Sequence, residues 1–207
     1  MKRMLLMVLV ALALPMAAFA TNSVDFTNSG GTLSGSSAGL TLSGSTLIAV
    51  NGLNGMGLVT GTDLGSITFS TGALVSGSLQ GQVGTPTWFA GGGSFMITSN
   101  GSDGLPSGVL FNGSFSGPVS WTLVTLANGT HNYTLTGSIT GTWYNGSTVN
   151  GATVQLTINT GKGYFDGMTS ISSGDTNITT VPEPGTLGLL GTGLVGLAGV
   201  LKRKMKA

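Results

Sequence analysis

The sequence predicts an all-β domain built as an antiparallel β-sandwich, with a β-solenoid as the alternative. Between residues 21 and 180, Val, Ile, Leu, Thr and aromatic residues recur at alternating positions, which is the period of a β-strand. Glycine-rich segments interrupt these runs at short intervals, as turns do. No part of this region sustains the period of a helix, so strands and turns are expected throughout.

Seven segments have the composition of strands, being rich in β-branched and aromatic residues. They are 67–70, 73–80, 95–99, 109–116, 119–127, 131–142 and 153–160. The Gly/Ser-rich sequence before about residue 50 has the weakest pattern and is expected to be a flexible lead-in.

Three Asn-Gly pairs predict turns in the second half of the domain. Asn128-Gly129 lies between two strand segments of matched length, and both residues tolerate the positive φ of a type I′ hairpin turn. Asn145-Gly146 and Asn150-Gly151 are expected to mark the next turns. The second half is therefore predicted to be an antiparallel meander.

Three short segments share one sequence pattern. Residues 72–81 resemble residues 108–117, and a shorter form returns at 137–141. The spacings between the three copies are unequal, which disfavours a strict solenoid or propeller. The pattern is interpreted as one type of strand used several times in a sandwich.

The N-terminus has the three parts of a Sec signal peptide. Lys2 and Arg3 precede an apolar stretch at 4–14, and Ala18 and Ala20 are the small residues that signal peptidase accepts. Cleavage after Ala20 would assign residues 1–20 to the signal. A retained anchor helix is the less favoured alternative, because an apolar core of about 11 residues is short of the roughly 20 that span a bilayer.

The C-terminus combines a rigid tripeptide, an apolar segment and a basic end. Pro182-Glu183-Pro184 is followed by the apolar run 187–201, which as a transmembrane helix would be about 22 Å long, short against a hydrocarbon core of about 30 Å. Its glycines weaken it as a helix, which suits a temporary anchor in the inner membrane. The basic residues that would stay in the cytoplasm are Lys202, Arg203, Lys204 and Lys206.

These three features, in this order at the chain end, resemble the PEP-CTERM sorting signal of Gram-negative bacteria. The resemblance covers residues 181–207, and leaves 21–180 as the extracytoplasmic domain. It implies processing near Pro182-Glu183-Pro184 by an exosortase, a membrane-embedded transpeptidase-like enzyme, and then release or attachment at the cell surface. It also implies an association with exopolysaccharide and biofilm. An ordinary single-span anchor with a proline linker is the alternative.

The charge and cysteine content of the domain exclude several classes of function. Five aspartates and one lysine between residues 21 and 180 give a net charge of −4, and no basic patch is present, so nucleic acid is not an expected partner. The chain has no cysteine, which excludes disulfides, thiol catalysis and thiolate metal sites. The charged residues are Asp25, Asp63, Asp103, Asp166, Asp175 and Lys162.

Few residues of this domain have the character of a catalytic or metal site. Asp103, Asp166 and Asp175 each adjoin a glycine, a context in which Asp is a turn former. The domain has no Asp-x-Asp loop of the kind that binds calcium, so no calcium ligand is predicted. His131 is the only histidine, expected to be exposed at a strand end, and one imidazole makes no zinc site. No catalytic residue, metal site or cofactor is predicted, and the protein is not expected to be an enzyme.

The aromatic residues are the remaining candidates, because an exposed ring can stack on a sugar. Each of them individually is expected in the core. Trp143 and Tyr144 are adjacent on a predicted strand and must point to opposite faces, so one of them is expected to face solvent. The full set is Trp88-Phe89, Trp121, Tyr133, Trp143-Tyr144 and Tyr164-Phe165.

The sequence thus favours a non-catalytic, exported surface or extracellular-matrix protein. A carbohydrate-binding module that acts within exopolysaccharide is the alternative, and it predicts a solvent-facing aromatic group. A polysaccharide hydrolase or lyase is less favoured, because it needs two aspartates facing each other in a cleft.

Overall fold

In the computed structural model, which describes residues 22–180 and the isolated positions Gly191 and Gly193, the chain forms an antiparallel all-β domain. Residues Ser23–Thr180 are one compact unit. The strands are β1 (Asn22–Ser29), β2 (Thr32–Ser36), β3 (Gly39–Asn51), β4 (Val59–Ser70), β5 (Leu74–Ser76), β6 (Thr87–Phe89), β7 (Gly92–Ser99), β8 (Gly108–Phe115), β9 (Val119–Thr125), β10 (His131–Trp143), β11 (Thr148–Asn159), β12 (Met168–Ser170) and β13 (Ser173–Thr180). Two 3-10 turns lie at Leu53–Gly55 and Ser102–Gly104.

Eight of the strands form a closed sheet. Their order is β11-β13-β1-β3-β4-β7-β8-β10, and β10 pairs with β11 to complete the circuit. The prediction of an antiparallel all-β fold is confirmed. The strands form one closed sheet, and not the two separate sheets of a sandwich or the coils of a solenoid. Closure needs strands that bend, and register shifts within the β1–β3, β3–β4, β7–β8 and β10–β11 pairs provide those bends.

Two branches extend the closed sheet. The first half of β10 pairs with β9, from which β6 and β5 continue, whereas its second half pairs with β8. In the second branch, β2 pairs with β3 of the closed sheet along one edge and with β12 along its other edge. One long strand, β10, therefore belongs to both the closed sheet and the β9-β6-β5 branch.

The N-terminal part of the domain is ordered strand and not a flexible lead-in. Strands β1, β2 and β3 bury Phe26, Leu33 and Leu42 completely or nearly so. The lead-in prediction is wrong because Gly and Ser occupy the positions between these apolar residues, so the alternation is present but sparse.

The Asn128-Gly129 and Asn145-Gly146 hairpin predictions are confirmed with a different turn type. Only the glycine of each pair has a positive φ, 77° at Gly129 and 82° at Gly146. The Gly129 amide donates to the Leu126 carbonyl at 2.9 Å, and Gly146 donates to Trp143 at the same distance. Each loop is therefore a three-residue turn that ends in a left-handed glycine, not a type I′ turn.

The Asn150-Gly151 pair is a β-bulge within β11, and the prediction of a turn there is wrong. Ile139 pairs with Ala152 and Thr140 with Asn150, so Gly151 is the extra residue. Its φ of 71° is one that glycine adopts without strain.

The predicted strand 73–80 is shortened to Leu74–Ser76, and the pattern it shares with residues 108–117 does not give a shared structure. Gly77 and Gly81 have φ of 88° and 67°, which takes the chain out of the sheet between them. The carbonyls freed in this loop accept side-chain hydrogen bonds from Thr87, Trp121 and Tyr133. These bonds fix the loop against the β9-β6-β5 branch.

Aromatic rings fill the interior. Trp121 stacks on Tyr133 at 4.7 Å between ring centroids, and Phe165 packs edge-on to both. A second cluster joins Phe69, Phe95, Phe111 and Phe115 by edge contacts near 6 Å and extends through Trp143 to Phe26. Inward-facing glycines make room for these rings, because a Cβ at Gly141 would lie 2.7 Å from the Phe111 ring.

The start of β1 and the end of β13 lie at the same end of the closed sheet. Asp25 near the start of β1 pairs with Asn51 at the end of β3, and the Ser23 hydroxyl donates to Asn177 of β13 at 3.0 Å. The 3-10 turns, which follow β3 and β7, are at this end too, where Asn54 contacts the Tyr144 hydroxyl. Within the described residues, no helix has the length and apolar character needed to cross a membrane.

Candidate functional site

The two aspartates that interact most closely do not form a catalytic cleft. Asp25 and Asp175 lie on the neighbouring strands β1 and β13, and Asp175 is in a strand where a turn was predicted. Burial, and secondarily the Asp175 carboxylate, raises the pKa of Asp25. The Thr27 hydroxyl donates to Asp175 at 3.2 Å. Both carboxylates belong to the same outer face of the sheet, so they lie side by side and do not face each other across a cleft.

The other aspartates have local structural roles or lie in loops. Asp63 accepts a hydrogen bond from the Gly65 amide at 3.1 Å. Asp103 lies in a 3-10 turn with a φ of 55°, which confirms its prediction as a turn former. Asp166 is exposed in the segment between β11 and β12. Across residues 22–180, no group of three His, Cys, Asp or Glu side chains is placed to hold a metal ion.

His131 is buried, at 5% exposure, and the prediction that it is exposed is wrong. Its ring stacks on Tyr164 with centroids 4.1 Å apart, and its Nδ1 lies 3.1 Å from the Thr125 hydroxyl. The segment after β11 covers this strand end, because Gly161 accepts the His131 amide hydrogen bond. These contacts give the histidine a packing role, and no carboxylate is among its described partners.

Most of the aromatic candidates are in the core, as expected. Phe89, Trp121, Tyr133 and Phe165 are fully buried. Trp143 is partly buried against the core, whereas Tyr144 is 37% exposed, so the prediction that one of these neighbours faces solvent is confirmed. Trp88 and Tyr164 are the other exposed rings, at 39% and 51%.

Strand β6 fixes Trp88 on the outer face. Its neighbours Thr87 and Phe89 are both buried, so strand alternation directs the indole outward. The backbone of β6 is paired on both sides, with Trp88 opposite Ser76 of β5 and Ser120 of β9. Trp88 is therefore an exposed ring on a rigid element.

A row of polar side chains continues from Trp88 across the sheet. Trp88 is opposite Ser120, Ser120 is opposite Thr136, Thr136 is opposite Gln155, and Gln155 is opposite Asn177. Residues directly opposite each other on paired strands share a face. We call these five residues the outer-face row. Among them only Trp88 was a candidate from sequence, because the row depends on strand neighbours that no local pattern shows.

A shallow hollow of about 250 Å³ lies beside β2. It is lined by small residues, hydroxyl groups and Met168, with no charged side chain. Its lining residues that carry side-chain polar atoms are Ser34, Ser36, Thr41 and Thr71.

The predicted sorting residues lie outside the described part of the chain. These are Ala18 and Ala20 of the signal, the tripeptide 182–184, the apolar segment 187–201, and the basic residues Lys202, Arg203, Lys204 and Lys206.

Comparison with known proteins identifies the C-terminal segment. The family model of the PEP-CTERM protein-sorting motif matches residues 180–204, which confirms the resemblance recognised in the sequence. This motif implies an exported protein that is processed by exosortase and sorted to the cell surface. No curated protein and no solved structure matched the chain.

Proposed function

We propose that this exosortase-sorted protein is a non-catalytic component of the cell surface or extracellular matrix, with residues 21–180 as its functional domain. The observation that carries the proposal is the sorting motif at residues 180–204. The placement of the aspartates on separate strands and turns, and of His131 in a packed strand end, supports the non-catalytic part. The destination favours a role among exopolysaccharides in a biofilm.

The proposed maturation has two cleavages. Signal peptidase removes residues 1–20 after Sec export, and the apolar segment 187–201 holds the chain in the inner membrane with its basic end in the cytoplasm. Exosortase then cuts near Pro182-Glu183-Pro184. Because proline restricts its own backbone and that of the preceding residue, we expect this segment to be extended and accessible to the enzyme.

The mass of the C-terminal peptide, recovered from the envelope and culture fluid of the producing cell, tests this maturation. We expect a peptide that ends near residue 184, without the apolar segment and the basic end. An intact end at Ala207 in the inner membrane would show instead a permanently anchored domain, and the matrix role would lose its main support.

A polysaccharide-degrading activity is the outcome that would contradict the non-catalytic part. The purified mature protein is incubated with exopolysaccharide of the producing cell, and new reducing ends are measured. We expect none above background. If turnover occurred and were lost in Asp25→Asn or Asp175→Asn, these two carboxylates would be the catalytic pair and the proposal would be wrong.

Carbohydrate binding is the second candidate function. The observation that favours it is the exposed ring of Trp88, which strand β6 holds on the outer face beside hydroxyl and amide groups.

A further inference from the structure

The outer-face row combines one exposed indole on β6 with four uncharged polar side chains on β9, β10, β11 and β13. We infer that this row binds a neutral polysaccharide, with Trp88 as the ring on which one sugar unit stacks and Gln155 and Asn177 as hydrogen-bonding groups. The inference rests on the proposed function, because it requires the domain to be exported to a place that contains extracellular polysaccharides.

Trp88 differs from the other two tryptophans in its surroundings. Trp121 is fully buried, and its indole N–H donates to the Leu79 carbonyl at 3.1 Å. Trp143 packs edge-on against Phe111 with centroids 5.0 Å apart. Trp88 is 39% exposed, and among the described residues its indole has neither an aromatic neighbour nor a hydrogen-bond partner. An indole held outward has a free apolar face and a free N–H donor, which are the two features that stack on and hydrogen-bond a pyranose.

The polar residues of the row retain free donors and acceptors. Gln155 is exposed, and its side-chain amide makes no hydrogen bond to another described residue. Asn177 uses its Oδ1 to accept from Ser23 and Thr179, which leaves its Nδ2 free to donate. Ser120 donates to the Thr136 carbonyl at 3.3 Å, so its oxygen remains an acceptor. A ligand with many hydroxyl groups can satisfy both kinds of group.

The charge of the surface selects a neutral ligand over an acidic one. Strands β6, β9, β10 and β11 contain no Asp, Glu, Lys or Arg. Asp175 lies two residues before Asn177 on β13, and the domain as a whole has a net charge of −4. Uronic acid or phosphate groups would find no cation here and would be repelled, whereas a neutral glycan carries no such penalty.

The length of the row fits a chain molecule. It crosses β6, β9, β10, β11 and β13, and neighbouring strands are about 4.8 Å apart, so the five side chains extend over about 19 Å. Such a distance accommodates several consecutive sugar units and not one monosaccharide. The backbone pairing of each strand holds the row rigid, which reduces the ordering that binding requires.

Calorimetric titration of the mature protein tests the inference. The probes are the neutral hexasaccharides cellohexaose and maltohexaose, the neutral polysaccharide dextran, and the acidic oligosaccharide hexagalacturonate. We expect at least one neutral probe to bind, hexagalacturonate to bind more weakly, and the emission of Trp88 to change on binding. Trp88→Ala should weaken binding by about tenfold or more, and Gln155→Ala by several-fold.

Tyr144→Ala is the matched control. Tyr144 is 37% exposed, close to the value for Trp88, but lies outside the row, and we expect its removal to leave binding unchanged. Equal unfolding midpoints show that the variants are folded. The inference would be overturned if no neutral probe bound at millimolar concentration, or if Trp88→Ala bound a probe as tightly as the unmodified protein does. A preference for hexagalacturonate over the neutral probes would also overturn it. None of these results alters the cleavage site or the cellular location, so they are distinguishable from failure of the proposed function.

Discussion

The ionised carboxylate of Asp25 destabilises the folded state. One of its carboxylate oxygens is buried with no hydrogen-bond partner among the described residues, and burial followed by repulsion from Asp175 raises its pKa. A carboxylate whose pKa is raised on folding binds its proton more tightly in the folded state. Stability therefore falls as the pH rises through the folded pKa, and the loss persists at neutral pH.

We expect Asp25→Asn to raise the free energy of unfolding at pH 7. The gain should disappear at a pH below the ordinary aspartate pKa, where the carboxyl of the unmodified protein is protonated in both states. Urea denaturation at the two pH values measures it. Asp63→Asn is the control that should give no such gain, because the Asp63 carboxylate accepts a hydrogen bond from the Gly65 amide. A gain of equal size at both pH values would contradict the electrostatic explanation.

Individual residues were predictable where one local rule decides. Strand alternation predicted that Trp143 and Tyr144 separate, and the adjacent glycine identified Asp103 as a turn residue. His131 was not predictable, because the segment that covers it comes from beyond β11, about 30 residues later. The position of Gln155 in the outer-face row was not predictable either, because it depends on which strands pair with β11.

At the scale of elements, the strands β8 and β10 depend on paired glycines. Gly113 and Gly141 are directly opposite, and the Phe111 ring covers both. A Cβ at Gly141 would lie 2.5 Å from the Asn112 carbonyl oxygen and 2.7 Å from the Phe111 ring. Neither the paired backbone nor the packed ring can move freely to admit it.

We expect Gly141→Ala to lower the free energy of unfolding by about 1–3 kcal/mol, the usual cost of overpacking. Thermal and urea unfolding measure the change. Gly57→Ala is the matched control, because a Cβ at Gly57 meets nothing within 4 Å and its φ is not positive. Equal stability of the two variants would show that the Phe111 ring is not held against this glycine pair.

The Asn-Gly pairs at 128–129, 145–146 and 150–151 show how far local sequence determines an element. All three have the same two residues, but 128–129 and 145–146 are hairpin turns whereas 150–151 is a bulge. The difference is that the residues on both sides of Gly151 remain paired with β10. A glycine with a positive φ was predictable at each position, but whether the chain turns there depends on the length of the partner strand.

At the scale of the whole molecule, closure of the sheet limits the free edges. Pairing of β10 with β11 leaves β5 and β12 as the end strands of the two branches, and each has only three residues. Short end strands are poor templates for pairing with another chain. The strand content was predictable from alternation, whereas closure was not, because it depends on one strand pairing with β8, β9 and β11.

Because β1 and β13 are in contact, the two ends of the domain are close together, and the domain is suited to circular permutation. A short Gly/Ser linker from Thr180 to Asn22 would join the ends of the domain, and new ends could be opened at Asn128-Gly129, at the opposite end of β10 from the Asn145-Gly146 turn. We expect this circular permutant to fold with the same strand pairing, because no strand of the closed sheet is interrupted. Circular dichroism and cooperative urea unfolding measure it, and a permutant without a cooperative transition would contradict the expectation. The domain could likewise be inserted as a unit into a loop of a host protein.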